Sequence, residues 1–227
     1  METWPPRSRC RCWVVTEPVP LVVKIGGGLL RFHGLDGLRQ ACGEARALAA
    51  GRSVLVVPGG GPFADAVRAV DAQVGLGDGV AHALALHAMD QLGVLLAPML
   101  PAAEPLTRLV APRALGLLMA ARALVGRADI PEAWVVTSDS LAVLTAGAIG
   151  ADEAILLKPV AGVMARWPSD DPPLQRLTAG ELQALQHAGG GRAVDAYLSD
   201  AVRRTGVAVT VRQPGAAPES GTLIVPD

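Results

Sequence analysis

The chain has 227 residues, 51% of them hydrophobic and 18% charged, which is enough for one large α/β domain with a sizeable core. Twenty basic residues against 21 acidic ones leave a formal charge of −1, and only 3% of residues are aromatic. This balance excludes a general nucleic-acid binder and a polybasic membrane-surface protein, and the aromatic shortage excludes a base-stacking platform.

Residues 1–19 carry arginines and prolines but no continuous apolar core, so they read as a weakly ordered extension and not a signal peptide. Cys10, Cys12 and Cys42 are an odd number without framework spacing. A reducing cytoplasm fits that usage, and a disulfide scaffold does not. Leu21-Val22-Val23-Lys24-Ile25 reads as a strand running into the turn Gly26-Gly27-Gly28. Residues 35–50 follow as a helix closed by Gly51. Ser53–Val57 has the pattern of a strand buried on both faces and ends at Pro58-Gly59-Gly60-Gly61. Pro62 suits the first turn of a helix reaching Val74, and residues 78–92 are helical again. The longest uncharged stretch, between Asp90 and Glu104, is too short to span a bilayer. Residues 105–128 read as a short strand and then a helix. A strand is expected at Ala133–Val136, then a helix to Gly147 capped by Thr137 or Ser138. Glu153–Leu157 is a further strand, followed by a turn at Gly162. Helices near 178–188 and 193–205 and closing strands at Val207–Arg212 and Thr222–Val225 complete the chain. Strands alternating with helices predict an α/β fold with a mainly parallel central sheet, in two lobes that divide near residue 150.

Both glycine triplets follow a buried strand and precede a helix. Glycine there lets backbone N–H groups approach an anion, and the helix N-terminus adds positive partial charge. Neither is a P-loop, because no Gly-Lys-Ser/Thr follows. Gly59, Gly61 and Ala64 fit a dinucleotide pattern, but the region that should hold its acidic partner reads as helix. The lysines are more telling. Eighteen of the 20 basic residues are arginine; the two lysines, Lys24 and Lys158, both stand at the carboxyl ends of strands beside glycine turns. A compact ammonium there suits contact with phosphate as a point charge. Thr137-Ser138-Asp139-Ser140 would reach the same sheet edge, where Asp139 can pair with both ammonium groups. Arg68 could meet an anionic acceptor or simply pair with Asp65 three residues away. His82 and His87, five apart, are poorly spaced to bind a metal together and read as ordinary helix residues or acceptor-pocket candidates.

Four stretches together resemble the amino acid kinase superfamily: Val-Val-Lys24-Ile-Gly-Gly-Gly28, Val-Val-Pro58-Gly-Gly-Gly61-Pro-Phe-Ala-Asp65, Thr137-Ser-Asp-Ser140 and Leu-Leu-Lys158-Pro-Val-Ala-Gly162-Val163. They occur in that family's order across residues 20–212. Pro58–Asp65 and the stretch Ala81–Gln91 further resemble the aminomethylfuran phosphate kinases of methanofuran biosynthesis. The resemblance implies a three-layer α/β sandwich with a mainly parallel sheet of about eight strands. It implies an acceptor-binding lobe over residues 20–150 and a nucleotide-binding lobe over 151–227. It also implies ATP and Mg2+ as cofactors, a phosphate-bearing small-molecule acceptor, and a homo-oligomer.

By the same resemblance, Lys24, Asp139 and Lys158 would be catalytic. Gly26, Gly27, Gly28, Gly59, Gly60, Gly61 and Arg68 would hold the phosphoryl group and acceptor. Thr137, Ser138, Lys158, Gly162, Val163 and Asp195 would face the nucleotide, with Val163–Pro173 near the adenine. No protein metal site is expected. Two features depart from the family: Gly28 stands where a serine is usual, and Pro159-Val-Ala-Gly-Val replaces Lys-Val-Asp-Gly-Val, which displaces Lys158. These leave two rival readings: a different kinase of the superfamily, or an oxyanion-binding protein like the molybdenum storage proteins.

Overall fold

A computed structural model describes residues 19–166, 171–217 and 219–227. Apart from Val19, the N-terminal extension with Cys10 and Cys12 lies outside the described residues. In chain order the first half holds β1 (Leu21–Ile25), α1 (Gly28–Ala49), β2 (Val54–Pro58), α2 (Gly61–Val74), α3 (Asp78–Leu96), β3 (Glu104–Leu106), β4 (Leu115–Leu118) and α4 (Ala120–Leu124). The second half holds α5 (Ser138–Ala148), β5 (Glu153–Leu157), β6 (Arg176–Thr178), α6 (Ala179–His187), α7 (Leu198–Thr205), β7 (Ala208–Arg212) and β8 (Thr222–Val225).

The strands form one eight-stranded sheet in the order β3-β4-β2-β1-β5-β7-β8-β6. Every neighbouring pair is parallel except β7 and β8. β1 sits between β2 and β5, so chain order reverses about it; this is the switch point where open α/β sheets bind ligands, beyond the carboxyl ends of the strands. The β-branched runs of β1 and β2 are buried along their whole length because helices cover both faces. Alternation along β1 sends Leu21, Val23 and Ile25 into the core with Leu29 and Leu38 of α1. Val22 goes to the opposite core, with Leu141 and Ala142 of α5. Lys24 shares the face of Val22, and this parity delivers its ammonium to α5.

The fold departs from the sequence reading at four places. α1 begins at Gly28 and not near residue 35, because Gly34 breaks the helix with φ of 59° and lets two segments join at an angle. Ala133–Val136 is irregular chain: the Trp134 ring is held by Asp71 of α2, and the run joins none of the eight strands. Residues 105–128 hold two strands and only a five-residue helix. The last helix starts at Leu198, since residues 192–197 turn to bring Asp195 toward α5.

The helical stretch Asp78–Met99 is the one among the described residues long and apolar enough to cross a membrane. Its packing is that of a core helix: Ala81, Leu86, Met89, Leu92 and Leu96 are buried against α2, α4 and β2. Asp90 within it accepts a hydrogen bond from the Ala121 N–H.

Candidate active site

The two glycine loops lie against each other. A Cβ on Gly27 would stand 2.2 Å from the Gly61 nitrogen, and one on Gly26 would stand 2.7 Å from the Leu157 carbonyl oxygen. The Gly59 N–H donates to the Ile25 carbonyl at 2.9 Å, tying the second loop to the end of β1. Backbone packing alone therefore demands glycine at these positions, before any anion is considered. Gly28 differs. Its nearest neighbours are Cγ and Cδ of Pro159, 3.2 and 3.4 Å from where a Cβ would sit. The space a side chain at Gly28 would use is bounded by Pro159, so the two departures from the family pattern face each other.

Lys24 is 4% exposed and Asp139 3% exposed. The Lys24 ammonium donates to Oδ1 of Asp139 at 2.8 Å. The Lys158 ammonium donates to Oδ2 of the same carboxylate at 2.6 Å and to the Ala193 carbonyl at 2.5 Å. One buried carboxylate thus holds two ammonium groups. Burial alone would raise the Asp139 carboxyl, but the charges of Lys158 and Lys24 outweigh it and hold the group well below the usual carboxylate range. Burial lowers the Lys24 ammonium from its ordinary value, opposed by Asp139 and assisted by Lys158.

Asp139 is set in place by the start of α5, whose cap comes from a distant residue. Thr137 occupies the cap position, but its side chain makes no capping bond. Asp195 instead accepts from the Thr137 N–H at 3.0 Å, the Thr137 hydroxyl at 2.7 Å and the Ser140 N–H at 3.0 Å, and also from the Ser140 hydroxyl. A carboxylate at a helix N-terminus satisfies free N–H groups and complements the dipole. Burial and the nearby Asp139 charge nevertheless push Asp195 upward, opposed by these hydrogen bonds.

Two cavities meet at the lysines. The first, of about 230 Å3, is walled by the glycine loops, by Arg31 of α1, Asp65 and Arg68 of α2, a face of α3, and the stretch Trp134–Asp139. Asp65 pairs with Arg31 and, at 3.0 Å, with Arg68. The Arg68 guanidinium lies 5.1 Å from the centre of the Trp134 ring, whose Nε1 donates to Asp71 at 2.7 Å. The second cavity, of about 290 Å3, is lined by Pro159, Val160, Arg192 and Ala193. Lys24, Gly28 and Lys158 line both.

A family model for the amino acid kinase family matches residues 20–213. The chain belongs to the amino acid kinase family. It is a phosphotransferase, and its family implies ATP as donor and a small molecule as acceptor. Among curated proteins it is similar to the [5-(aminomethyl)furan-3-yl]methyl phosphate kinase of Methanocaldococcus jannaschii, 27% identical over 154 residues, which cover 65% of this chain and 69% of that one. Among solved structures it is similar to uridylate kinase from Archaeoglobus fulgidus, with a TM-score of 0.68, 20% identity, and coverage of 90% of this chain and 99% of that one. It is also similar to aspartate kinase from Synechocystis, with a TM-score of 0.68, 17% identity, and coverage of 92% of this chain but 40% of that one. These likenesses agree with the fold and family that the motifs imply.

Of the residues singled out in the sequence, the kinase brings Lys24, Asp139, Lys158, Gly27, Gly28, Gly60, Gly61, Arg68, Thr137 and Ser138 to the cavity against α3, and Gly26 to the one lined by Pro159. Gly59 supports the loop from behind through its bond to Ile25. Gly162, Val163 and Asp195 line neither cavity. Gly162 packs against Thr222, the Val163 N–H donates to the Thr222 hydroxyl at 2.8 Å with its side chain fully buried, and Asp195 is committed to α5. Trp167–Asp170, part of the stretch expected near adenine, lie outside the described residues. The structure adds Arg31, Trp134 and Arg192 to the cavity walls, and it brings His82, read as an ordinary helix residue or an acceptor-pocket candidate, to the same cavity as Arg31. Arg31 lies one helical turn beyond the first glycine loop, a relation concealed by the helix start expected near residue 35.

The donors present do not form a cage for Mg2+. Among the described residues no cluster of three or more His, Cys, Asp or Glu side chains is arranged to hold a metal. Both oxygens of Asp139 and of Asp195 are engaged by internal donors.

Proposed function

We propose that this kinase transfers the γ-phosphoryl group of MgATP to a small acceptor that already bears a phosphate, [5-(aminomethyl)furan-3-yl]methyl phosphate being the foremost candidate. The observation that carries the reading is the shared wall: Lys24, Gly28 and Lys158 line both cavities, so a donor on one side and an acceptor on the other meet at two ammonium groups. An acceptor phosphate oxygen attacks the γ-phosphorus in line, the bond from that phosphorus to the β–γ bridging oxygen breaks, and ADP leaves. Such transfer asks for alignment and neutralisation of charge spread over the moving group. Lys24 would follow the phosphoryl group across, Lys158 would meet the nucleotide phosphates, and Asp139 would keep the two ammoniums at fixed positions. A phosphate acceptor is ionised near neutral pH and needs no general base.

The acceptor cavity supports an anionic substrate. Its charged lining is Lys24, Arg31, Arg68 and Lys158 against Asp65 and Asp139. At about 230 Å3 it is smaller than the roughly 300–1,000 Å3 pockets that enclose drug-sized ligands. The lobe of residues 20–150 would bind the acceptor and that of 151–227 the nucleotide. A homo-oligomer would bury the exposed Val80, Leu84 and Val94 of α3 and the neighbouring Val70 and Val74 of α2. We place the reaction in the cytoplasm, where MgATP is supplied.

A thermal-shift screen tests the acceptor. With MgATP present, the furan phosphate should raise the melting temperature by several degrees, since saturation at 100 times Kd adds about 2.7 kcal/mol. A shift by UMP or aspartate in its place would move the acceptor to another class.

A further inference from the structure

We propose that His82 recognises the part of the acceptor remote from its phosphate; the inference rests on the kinase reading above. α3 faces the acceptor cavity with His82, Ala85, Leu86 and Met89. These positions follow the i, i+3, i+4, i+7 rhythm of a single helix face. Three of the four are apolar, and His82 is the polar exception.

Its burial is unusual in what it lacks. His82 is 6% exposed, and its Nε2 has no hydrogen-bond partner among the described residues. A buried polar atom left unpaired costs free energy, and native proteins rarely keep one without a use. The charged groups around the cavity do not supply a partner. Arg31, Asp65 and Arg68, from α1 and α2, are paired with one another, and Glu132 acts on His82 only through its field. Burial lowers the His82 pKa, so the ring is neutral near pH 7, and one nitrogen donates while the other accepts. His87, five residues on, is exposed on another face of the helix and does not line the cavity.

The cavity therefore has a chemical order. Ammonium groups and glycine amides offer a phosphate site. Ala85, Leu86 and Met89 offer a short apolar wall suited to a small ring. His82 offers one hydrogen bond on this otherwise apolar helix face. The acceptor class this selects is a phosphate ester of a small flat ring that carries one further hydrogen-bonding group.

Steady-state kinetics with MgATP and [5-(aminomethyl)furan-3-yl]methyl phosphate test the inference on the wild type, His82→Leu and His82→Gln. His82→Leu should raise the acceptor KM about tenfold or more while the ATP KM stays within twofold. His82→Gln, whose amide can replace the imidazole Nε2, should recover most of the loss. Thermal melts of each variant separate lost binding from lost folding. An acceptor KM in His82→Leu within twofold of wild type overturns the inference, as does an equal rise in both KM values. If the wild type transfers to UMP or aspartate and not to the furan phosphate, the same comparison is made with that acceptor, and the same two results decide it. Absence of transfer by the wild type to all three overturns the kinase reading and this inference together.

Discussion

The cavity against α3, proposed to take the acceptor, is walled by side chains from four helices, α1, α2, α3 and α5, whereas the cavity beyond Lys158 is walled mostly by loop residues. On the acceptor side, positive and negative groups are interleaved and largely paired: Arg31 and Arg68 with Asp65, Lys24 with Asp139. On the other side every charged lining residue is basic, namely Lys24, Lys158 and Arg192. A recess whose charged groups are all basic suits the phosphates common to all nucleotides. A cavity built of positioned and mutually restrained side chains suits selection of one small molecule. Under the proposed function, α1, α2 and α3 would select the acceptor, and the junction both cavities share would carry the transfer.

The largest effect should come from removing the group that serves both sides. Asp139→Ala leaves the Lys24 and Lys158 ammoniums without their shared counterion. Breaking a buried pair in this way costs about 3–5 kcal/mol. Thermal melts should show that loss together with near-complete loss of turnover; a variant as stable and active as wild type would show that Asp139 does not organise the junction. Next, the two sides should separate kinetically. Arg68→Ala should raise the acceptor KM about tenfold with little change for ATP, and Arg192→Ala should do the reverse, on the scale of one charge-assisted hydrogen bond. Equal effects of either change on both substrates would erase the distinction between the cavities.

A pH profile sharpens the role of Lys24. Its ammonium is held below the ordinary value of 10.5, and the proposed transfer would need the charged form. Activity should therefore fall as pH rises through that lowered value, so kcat/KM should show an alkaline limb below pH 10.5. Lys24→Arg, which stays charged, should lose that limb in whatever activity remains. A wild-type profile flat to pH 10.5 would contradict the assignment. The smallest effect belongs to Gly28→Ser, whose Cβ would sit 3.2 Å from Cγ of Pro159. A few-fold rise in the ATP KM is expected, relieved by adding Pro159→Ala; no relief would mean that the two positions are independent.

Lys24 and the glycine loops were legible because each combines a local pattern with a strand end, and strand ends of a parallel sheet converge. Asp139 was legible from its motif. Asp195 was not: its partners Thr137 and Ser140 lie 58 and 55 residues away, and a carboxylate's capping bond at that range leaves no local trace. Arg31 was hidden by the late helix start expected near residue 35, since a glycine with positive φ can join two helical segments as easily as separate them. The apolar stretch Ala133–Val136 has strand composition, but composition does not report that Trp134 is held by Asp71, 63 residues away. His82 stood in a pattern read as helix, and only the structure shows that its helix face opens on a cavity and that its Nε2 lacks a partner among the described residues.

The central claim is phosphoryl transfer at the junction of Lys24, Asp139 and Lys158. Incubating the protein with γ-labelled MgATP and [5-(aminomethyl)furan-3-yl]methyl phosphate, for the wild type and for Lys24→Ala, tests it most directly. Label should appear in a diphosphate product with the wild type, and the rate should fall about 10²–10³-fold in a folded Lys24→Ala variant, the scale expected for removing one group that stabilises transition-state charge. Transfer by Lys24→Ala at the wild-type rate would contradict the account.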